Sequence, residues 1–464
     1  MASKNKSIMP LAGVAFAALA FCASCRSPEP LKGRPEPSAR TFTSAAVEAA
    51  IEETSKRIKD PRLREMFEAT YPNTLDTTVK GDGYIITGDI DAMWLRDSAA
   101  QVWPYLKHLK DDPGLASLVR GIILKQFAAI RLDPYANAFY MDESKDSEWE
   151  SDLTDMRPGV HERKWEVDSL CYPLRLAYGY WETTGDGSIF GKEWEDTLRK
   201  IVAAFREQQR RDGLKTSYKF QRNTLHPLDS LENYGYGPPA RPVGLVASAF
   251  RPSDDAVKLP FNVPSNFFAA DVLAKAGEIC RAEGCDEELA AECESLSYEI
   301  SAALREYAIV KTKKWGKVYA YEVDGFGGAI LMDDANAPSL LSLPYLCGVD
   351  RNDPVYVNTR KMILSPDGNP YFFKGKAISG IGSPHTGYGK VWPMSLIMRI
   401  LTSVDDKEKL SALKMLADTT GGTLFMHEGI DADDPSVFTR PWFAWANTLF
   451  GEAVMEMARQ GLLE

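Results

Sequence analysis

Apolar residues recur at three- and four-residue spacing in roughly twelve segments of this 464-residue chain, and that pattern narrows the fold most. Helices are expected over 44–59, 61–71, 113–132, 190–211, 265–282, 286–307, 333–346, 354–364, 391–401, 407–419 and 440–460, and at the C-terminal ends of 88–103 and 161–181. Strand-like alternation is confined to 74–86 and 317–323. No short-period repeat of the tetratricopeptide or ankyrin kind appears. Helix pairs with long loops between them suit a closed toroid, and periodicity does not separate that from a solenoid. One large, mostly helical domain is expected over 43–464. Its hydrophobic content of 44% can supply a core, and a net charge of −11 disfavours a nucleic-acid partner.

The N-terminus reads as an export signal. Lys4 and Lys6 precede an Ala-rich apolar run, 8–23, too short for a membrane span. Ala23-Ser24-Cys25 resembles a bacterial lipobox, with Cys22 where Leu is usual. Residues 1–25 are therefore expected to be a lipoprotein signal peptide, with plain signal cleavage as the alternative. Residues 26–42, rich in proline and charge, are expected to be a flexible tether. The expected location is the bacterial cell envelope, periplasmic or at the outer membrane, with membrane contact only through the lipid on Cys25. Export permits disulfides, and Cys280, Cys285 and Cys293 are close enough in sequence for one local bridge.

The chemistry concentrates in four stretches. The first, 88–103, is GDIDAMWLRDSAAQVW. Its second half, from Ala92, predicts a helix, and Asp89 and Asp91 stand where a carboxylate caps a helix or faces a ligand. An Arg96–Asp97 pair beside Trp94 is either an internal ion pair or a sugar site, because a sugar ring has apolar C–H faces and a polar rim. The second is FRPSDDA, 250–256, where Asp254 and Asp255 follow a proline turn inside the irregular loop 219–264. A loop of that length within a domain is usually functional. The third, GIGSPHTGYGKVW at 380–392, carries His385. The fourth, FMHEGIDADDPSVFTR at 425–440, carries His427, Glu428 and Arg440.

Other chemistries lack their motifs. GxSxG, HExxH, a phosphate-binding P-loop and a dinucleotide fingerprint are all absent, and five scattered histidines suggest no metal cluster. Carboxylates in aromatic, hydroxyl-binding loops remain. Glycoside hydrolysis needs that set: one carboxylic acid to protonate the leaving oxygen, one carboxylate to attack or to activate water.

Together TGDIDAMWLRDS, FRPSDDA, GIGSPHTGYG and MHEGIDADDPSVFTRPWFAWANTLFGE resemble glycoside hydrolase family 125. The resemblance covers about 43–462 and implies an all-α (α/α)6 barrel with long functional loops. It further implies a metal-independent, inverting exo-α-1,6-mannosidase with no cofactor and an α-mannoside substrate from N-glycans or mannan. The implied general base falls on Glu428. The implied general acid falls on the FRPSDD loop, Asp255 being favoured and Asp254 close behind. Trp94, Arg96, Asp97, His385 and Arg440 are expected to bind the terminal mannose. Asp254 is expected to push up the proton affinity of Asp255 as a neighbouring like charge. An inverting pair would stand about 6.5–9.5 Å apart. A glucoamylase-type toroid glycosidase and a non-catalytic glycan-binding lipoprotein are the alternative readings.

Overall fold

Six helices pack side by side and close into a ring. Leu95–Val102 meets Val167–Thr184, which meets Val263–Glu283, then Leu343–Cys347, Pro393–Thr402 and Ala444–Arg459, and the last returns to the first. A second layer surrounds them: Pro61–Thr70, Pro113–Leu132, Lys192–Gln208, Glu287–Tyr307, Pro354–Ile363 and Asp406–Asp418. The two layers alternate along the chain, which is the (α/α)6 barrel and excludes the solenoid. This computed structural model describes residues 33–213 and 216–464.

Side-chain pattern sorts the helices into layers. Every residue of Leu95–Val102 is buried, as a helix surrounded on all sides requires. Lys192–Gln208 buries Trp194, Leu198, Ile201, Val202 and Phe205 on one face and leaves its charges outside. Gly451 lets the inner helix Ala444–Arg459 approach the outer layer. A Cβ there would lie 2.6 Å from the Tyr71 side chain and 2.7 Å from its Cα.

The layers also differ at their N-termini. Asp60, Asp112, Asp286, Asp353 and Asp405 cap five outer helices through side-chain hydrogen bonds. The inner helices beginning at Leu95, Val167, Leu343, Pro393 and Ala444 carry no side-chain cap. Short antiparallel sheets stiffen the loops around those free ends. Trp94 pairs with Ala138 and Ala138 with Glu162, while Val391 pairs with Ile430.

Several local expectations are corrected. The helix expected from Ala92 begins at Leu95, because Met93–Trp94 pairs with Ala138–Phe139 as a strand. Neither Asp89 nor Asp91 caps it. The strand expected over 74–86 starts as a helix, Asn73–Thr77, because Thr77 and Thr78 return their hydroxyls to the carbonyls of Asn73 and Thr74. A hairpin of Val79–Lys80 with Tyr84–Ile85 follows. The helix expected over 333–346 is reduced to Leu343–Cys347. Asp333 accepts from the amides of Leu340 and Leu341 and folds the segment ahead of it into turns. Cys171, Cys280, Cys285, Cys293 and Cys347 are all free thiols, so the local bridge does not form.

The expected tether is described from Gly33 onward, and there it lies on the domain. Arg34 pairs with Asp76 at 2.7 Å and also with Glu48, and the Phe42 amide donates to Leu75. The signal and lipobox, residues 1–25, lie outside the described residues.

Candidate active site

The uncapped ends of the inner helices face one another across an open pocket. Its wall is drawn from every stretch singled out in the sequence. Trp94, Arg96 and Asp97 come from the start of Leu95–Val102, Asp254 from the loop before Val263–Glu283, and His385 from the glycine-rich loop. Glu428 and Arg440 come from the loop before Ala444–Arg459. Asp255 is not on the wall itself, but contacts a residue that is. Exposed N-terminal amides carry partial positive charge, so this end of the barrel suits a dense set of carboxylates.

Arg96 organises that set. It is 2% exposed. It donates from Nη1 to Glu166 at 2.6 Å and to Asp168 at 3.3 Å, and from Nη2 to Asp254 at 3.1 Å. Its Nε lies 3.5 Å from Asp97. Burial pulls the guanidinium down, and Glu166, Asp254, Asp168 and Asp97 more than restore it, so the charge is permanent. Burial also raises Asp97 to about 6 and Asp168 to about 6, in each case against the pull of Arg96. The ion pair expected as one reading of Arg96 is present, within a buried charge cluster that has one face in the pocket.

The adjacent aspartates point apart. Asp254 has a left-handed backbone, φ 68°, which reverses the chain between the two side chains. The Asp254 side chain is 24% exposed and that of Asp255 8%. Burial would raise the Asp254 carboxyl. The Arg96 guanidinium, a hydrogen bond shared with Glu166, and the ammonium of Lys164 instead hold it well below the usual carboxylate range. Glu166, fully buried, is driven well above its usual range by burial, against the pull of Arg96. Asp255 faces His385, whose Nδ1 lies 3.3 Å from its Oδ1. Its Oδ2 is buried with no hydrogen-bond partner among the described residues.

Asp334 is a further carboxylate close to Asp255. Burial raises Asp334 to about 6 despite Arg251, and Asp255 adds to the push. Asp334 accepts from the Ser253 hydroxyl at 2.7 Å, and Asn336 donates to the Pro252 carbonyl at 2.6 Å. The segment 334–336 therefore grips the FRPSDD turn. Burial would lower His385, but its bond to Asp255 and the charges of Glu428, Asp255 and Asp254 raise it to about 9. At neutral pH it is an imidazolium among carboxylates.

Glu428 is held from both sides. Nδ1 of His427 lies 2.9 Å from the Arg440 carbonyl and its Nε2 3.0 Å from the Thr420 carbonyl. The His427 ring stacks on Phe438 at 3.8 Å. His427 thus fixes the strand that presents its neighbour. The Arg440 guanidinium pairs with Glu428 at 3.6 Å and with Asp89 at 3.5 Å. Trp94 backs the pocket with its ring set edge-on to His161 at 5.0 Å.

Glu166, Asp168, Lys164, Asp334 and Asn336 were not foreseen as site residues. A usable signal existed for the first three. HERKWEVD, 161–168, is a charged run placed directly before an apolar helix, and all of it is buried.

Most of the chain has close likenesses. A family model described as metal-independent alpha-mannosidase (GH125) matches residues 60–455. The chain belongs to glycoside hydrolase family 125, the metal-independent α-mannosidases. It is a glycoside hydrolase acting on α-mannosides. The meiotically up-regulated gene 157 protein of Schizosaccharomyces pombe is 43% identical over 447 residues, covering 91% of this chain and 88% of that one. The Streptococcus pneumoniae metal-independent α-mannosidase, solved as a non-productive substrate complex with α-1,6-mannobiose, is 41% identical with a TM-score of 0.87. That alignment covers 90% of this chain and 99% of the other. A bacterial glucoamylase complexed with acarbose aligns at 11% identity and a TM-score of 0.54, covering 89% and 58%, a likeness of fold alone.

Proposed function

We propose that this α-mannosidase removes non-reducing terminal α-1,6-linked mannose, from N-glycans or mannan, by a single displacement with inversion. The observation that carries it is the convergence of Glu428 and the Asp254–Asp255 turn, 173 residues apart in the chain, on one small pocket. The linkage is supported by the α-1,6-mannobiose held by the Streptococcus pneumoniae relative.

Asp255 is the proposed general acid. Asp254 is bound by a permanent cation and holds no proton to give, so it anchors Arg96 and offers its exposed oxygen to a sugar hydroxyl. Asp255 gives its proton to the glycosidic oxygen as the C1–O bond breaks, and the carboxylate left behind meets the His385 imidazolium. Glu428 takes a proton from water on the opposite face of the ring, and the water oxygen bonds to C1. Solvent exchange then returns Glu428 and Asp255 to their starting states. Trp94 offers an apolar face to the ring, while Asp97, Arg96 and Arg440 take its hydroxyls.

Proton NMR of α-1,6-mannobiose hydrolysis tests the scheme. β-Mannose as the first-formed sugar is expected. α-Mannose appearing first overturns inversion, and cleavage of α-1,2- or α-1,3-mannobiose in place of the α-1,6 isomer overturns the linkage.

The enzyme is further proposed to sit in the bacterial envelope on a lipid at Cys25. The support is the basic start, apolar run and Ala-Ser-Cys of the sequence.

A further inference from the structure

Tyr388 stands outside the chemistry described so far. Its side chain is 84% exposed. Gly387 and Gly389 flank it at φ 88° and 84°, so the chain reverses on both sides and holds the ring out into solvent. The loop that carries it leaves the pocket at His385 and returns at Trp392, and both of these line the wall. Three residues lie between Tyr388 and Trp392, so the two are roughly 13 Å apart at most. That is within reach of a short oligosaccharide seated in the pocket.

The ring is not isolated. Tyr388 meets Phe373 edge-on at 4.9 Å, and Phe373 meets Tyr371 at 6.5 Å. The Tyr371 carbonyl accepts from the Gly382 amide at 2.9 Å, and the Gly382 carbonyl accepts from Ala335 at 3.1 Å, next to the Asp334 that holds the FRPSDD turn through Ser253. An aromatic row therefore runs from the neighbourhood of Asp255 outward to the rim. A general acid stands on the flank where the leaving oxygen departs, so the row lies on the leaving-group side.

We propose that Tyr388, braced edge-on by the buried Phe373, is a stacking platform on the leaving-group side for a mannose beyond the cleaved bond. This rests on Asp255 being the acid. An α-1,6 linkage has a rotatable bond more than linkages to ring hydroxyls, so ordering such a chain costs more entropy. An aromatic face that takes the apolar side of a distal sugar offsets that cost.

The test compares Tyr388→Ala and Tyr388→Trp with wild type on α-mannosyl fluoride, which has no sugar on the leaving side, and on α-1,6-mannotriose and mannotetraose. Tyr388→Ala should lower kcat/KM on the oligosaccharides about ten-fold, chiefly through KM, as expected for one lost aromatic–sugar contact. Tyr388→Trp should retain activity, and the fluoride should be unaffected by either change. Equal losses on fluoride and oligosaccharide, or no loss on any oligosaccharide, would overturn the proposal. If wild type cleaves α-1,2- or α-1,3-mannotriose instead, the linkage assignment fails, and the same variant ratio is read on that trisaccharide. Asp255→Asn on the same substrates checks the acid separately, because loss of an acid spares the fluoride.

Discussion

The Arg96 guanidinium donates to Asp254 across 3.1 Å, joining the first turn of one inner helix to a loop 158 residues further along. That bond gives the two adjacent aspartates different work. Asp254 is tied to a permanent cation and to Glu166, whereas Asp255 has, among the described residues, His385 as its hydrogen-bonding side-chain partner.

Asp255→Asn should therefore lower kcat on α-1,6-mannobiose by about 10²–10⁴, the usual worth of general acid catalysis, while sparing α-mannosyl fluoride, whose leaving group needs no proton. Asp254→Asn should weaken folding and binding without that substrate dependence. The opposite pattern would move the acid to Asp254.

Arg96→Ala removes the counter-charge of several buried carboxylates at once. Breaking a buried pair by removing one partner costs about 3–5 kcal/mol, so chemical denaturation should show a loss of that order together with a large fall in kcat/KM. Arg96→Lys should rescue little, because a single ammonium does not reproduce donation from two guanidinium nitrogens to three acceptors. A variant that melts like wild type would show that the cluster is held by something other than Arg96.

His385 binds its proton more tightly in the folded state, about 9 against an ordinary 6.5. The stability it contributes is fully present below pH 6.5 and is lost as pH rises through about 9. Denaturation curves of wild type should weaken across that window, and those of His385→Asn should weaken less. Activity should fall on the same alkaline limb, since the imidazolium beside Asp255 is then lost. Parallel pH–stability curves for the two proteins would remove His385 from the account.

Cys25→Ala should move the enzyme from the membrane to the soluble fraction with its hydrolytic activity intact, measured by fractionation of expressing cells. Unchanged membrane association would rule out the lipid anchor at this residue.

Much of the barrel is legible in the sequence, because helix periodicity is a local property. The spacing of Trp194, Leu198, Ile201 and Phe205 needs no partner to be recognised. Local reading failed where a distant partner decides. Met93–Trp94 becomes strand only because Ala138–Phe139 lies alongside, and Asp333 turns its segment through amides seven and eight residues on.

The candidate site divides the same way. The motifs around Asp97, Asp255, His385 and Glu428 announce a carboxylate chemistry by residue type and order, and their likeness to one family gives its class. Which oxygen faces which cation is not written in any one motif. Glu166 and Asp168 reach Arg96 across 70 and 72 residues, and Asp334 grips Ser253 across 81. Ring closure brings those groups together, and burial makes their charges strong enough to set one another's protons. The sequence by itself determined the helices and the kinds of groups at their ends. Only the tertiary structure decided the partners, because an ion pair's strength depends on distance and on the exclusion of water, and both exist only once the barrel has closed.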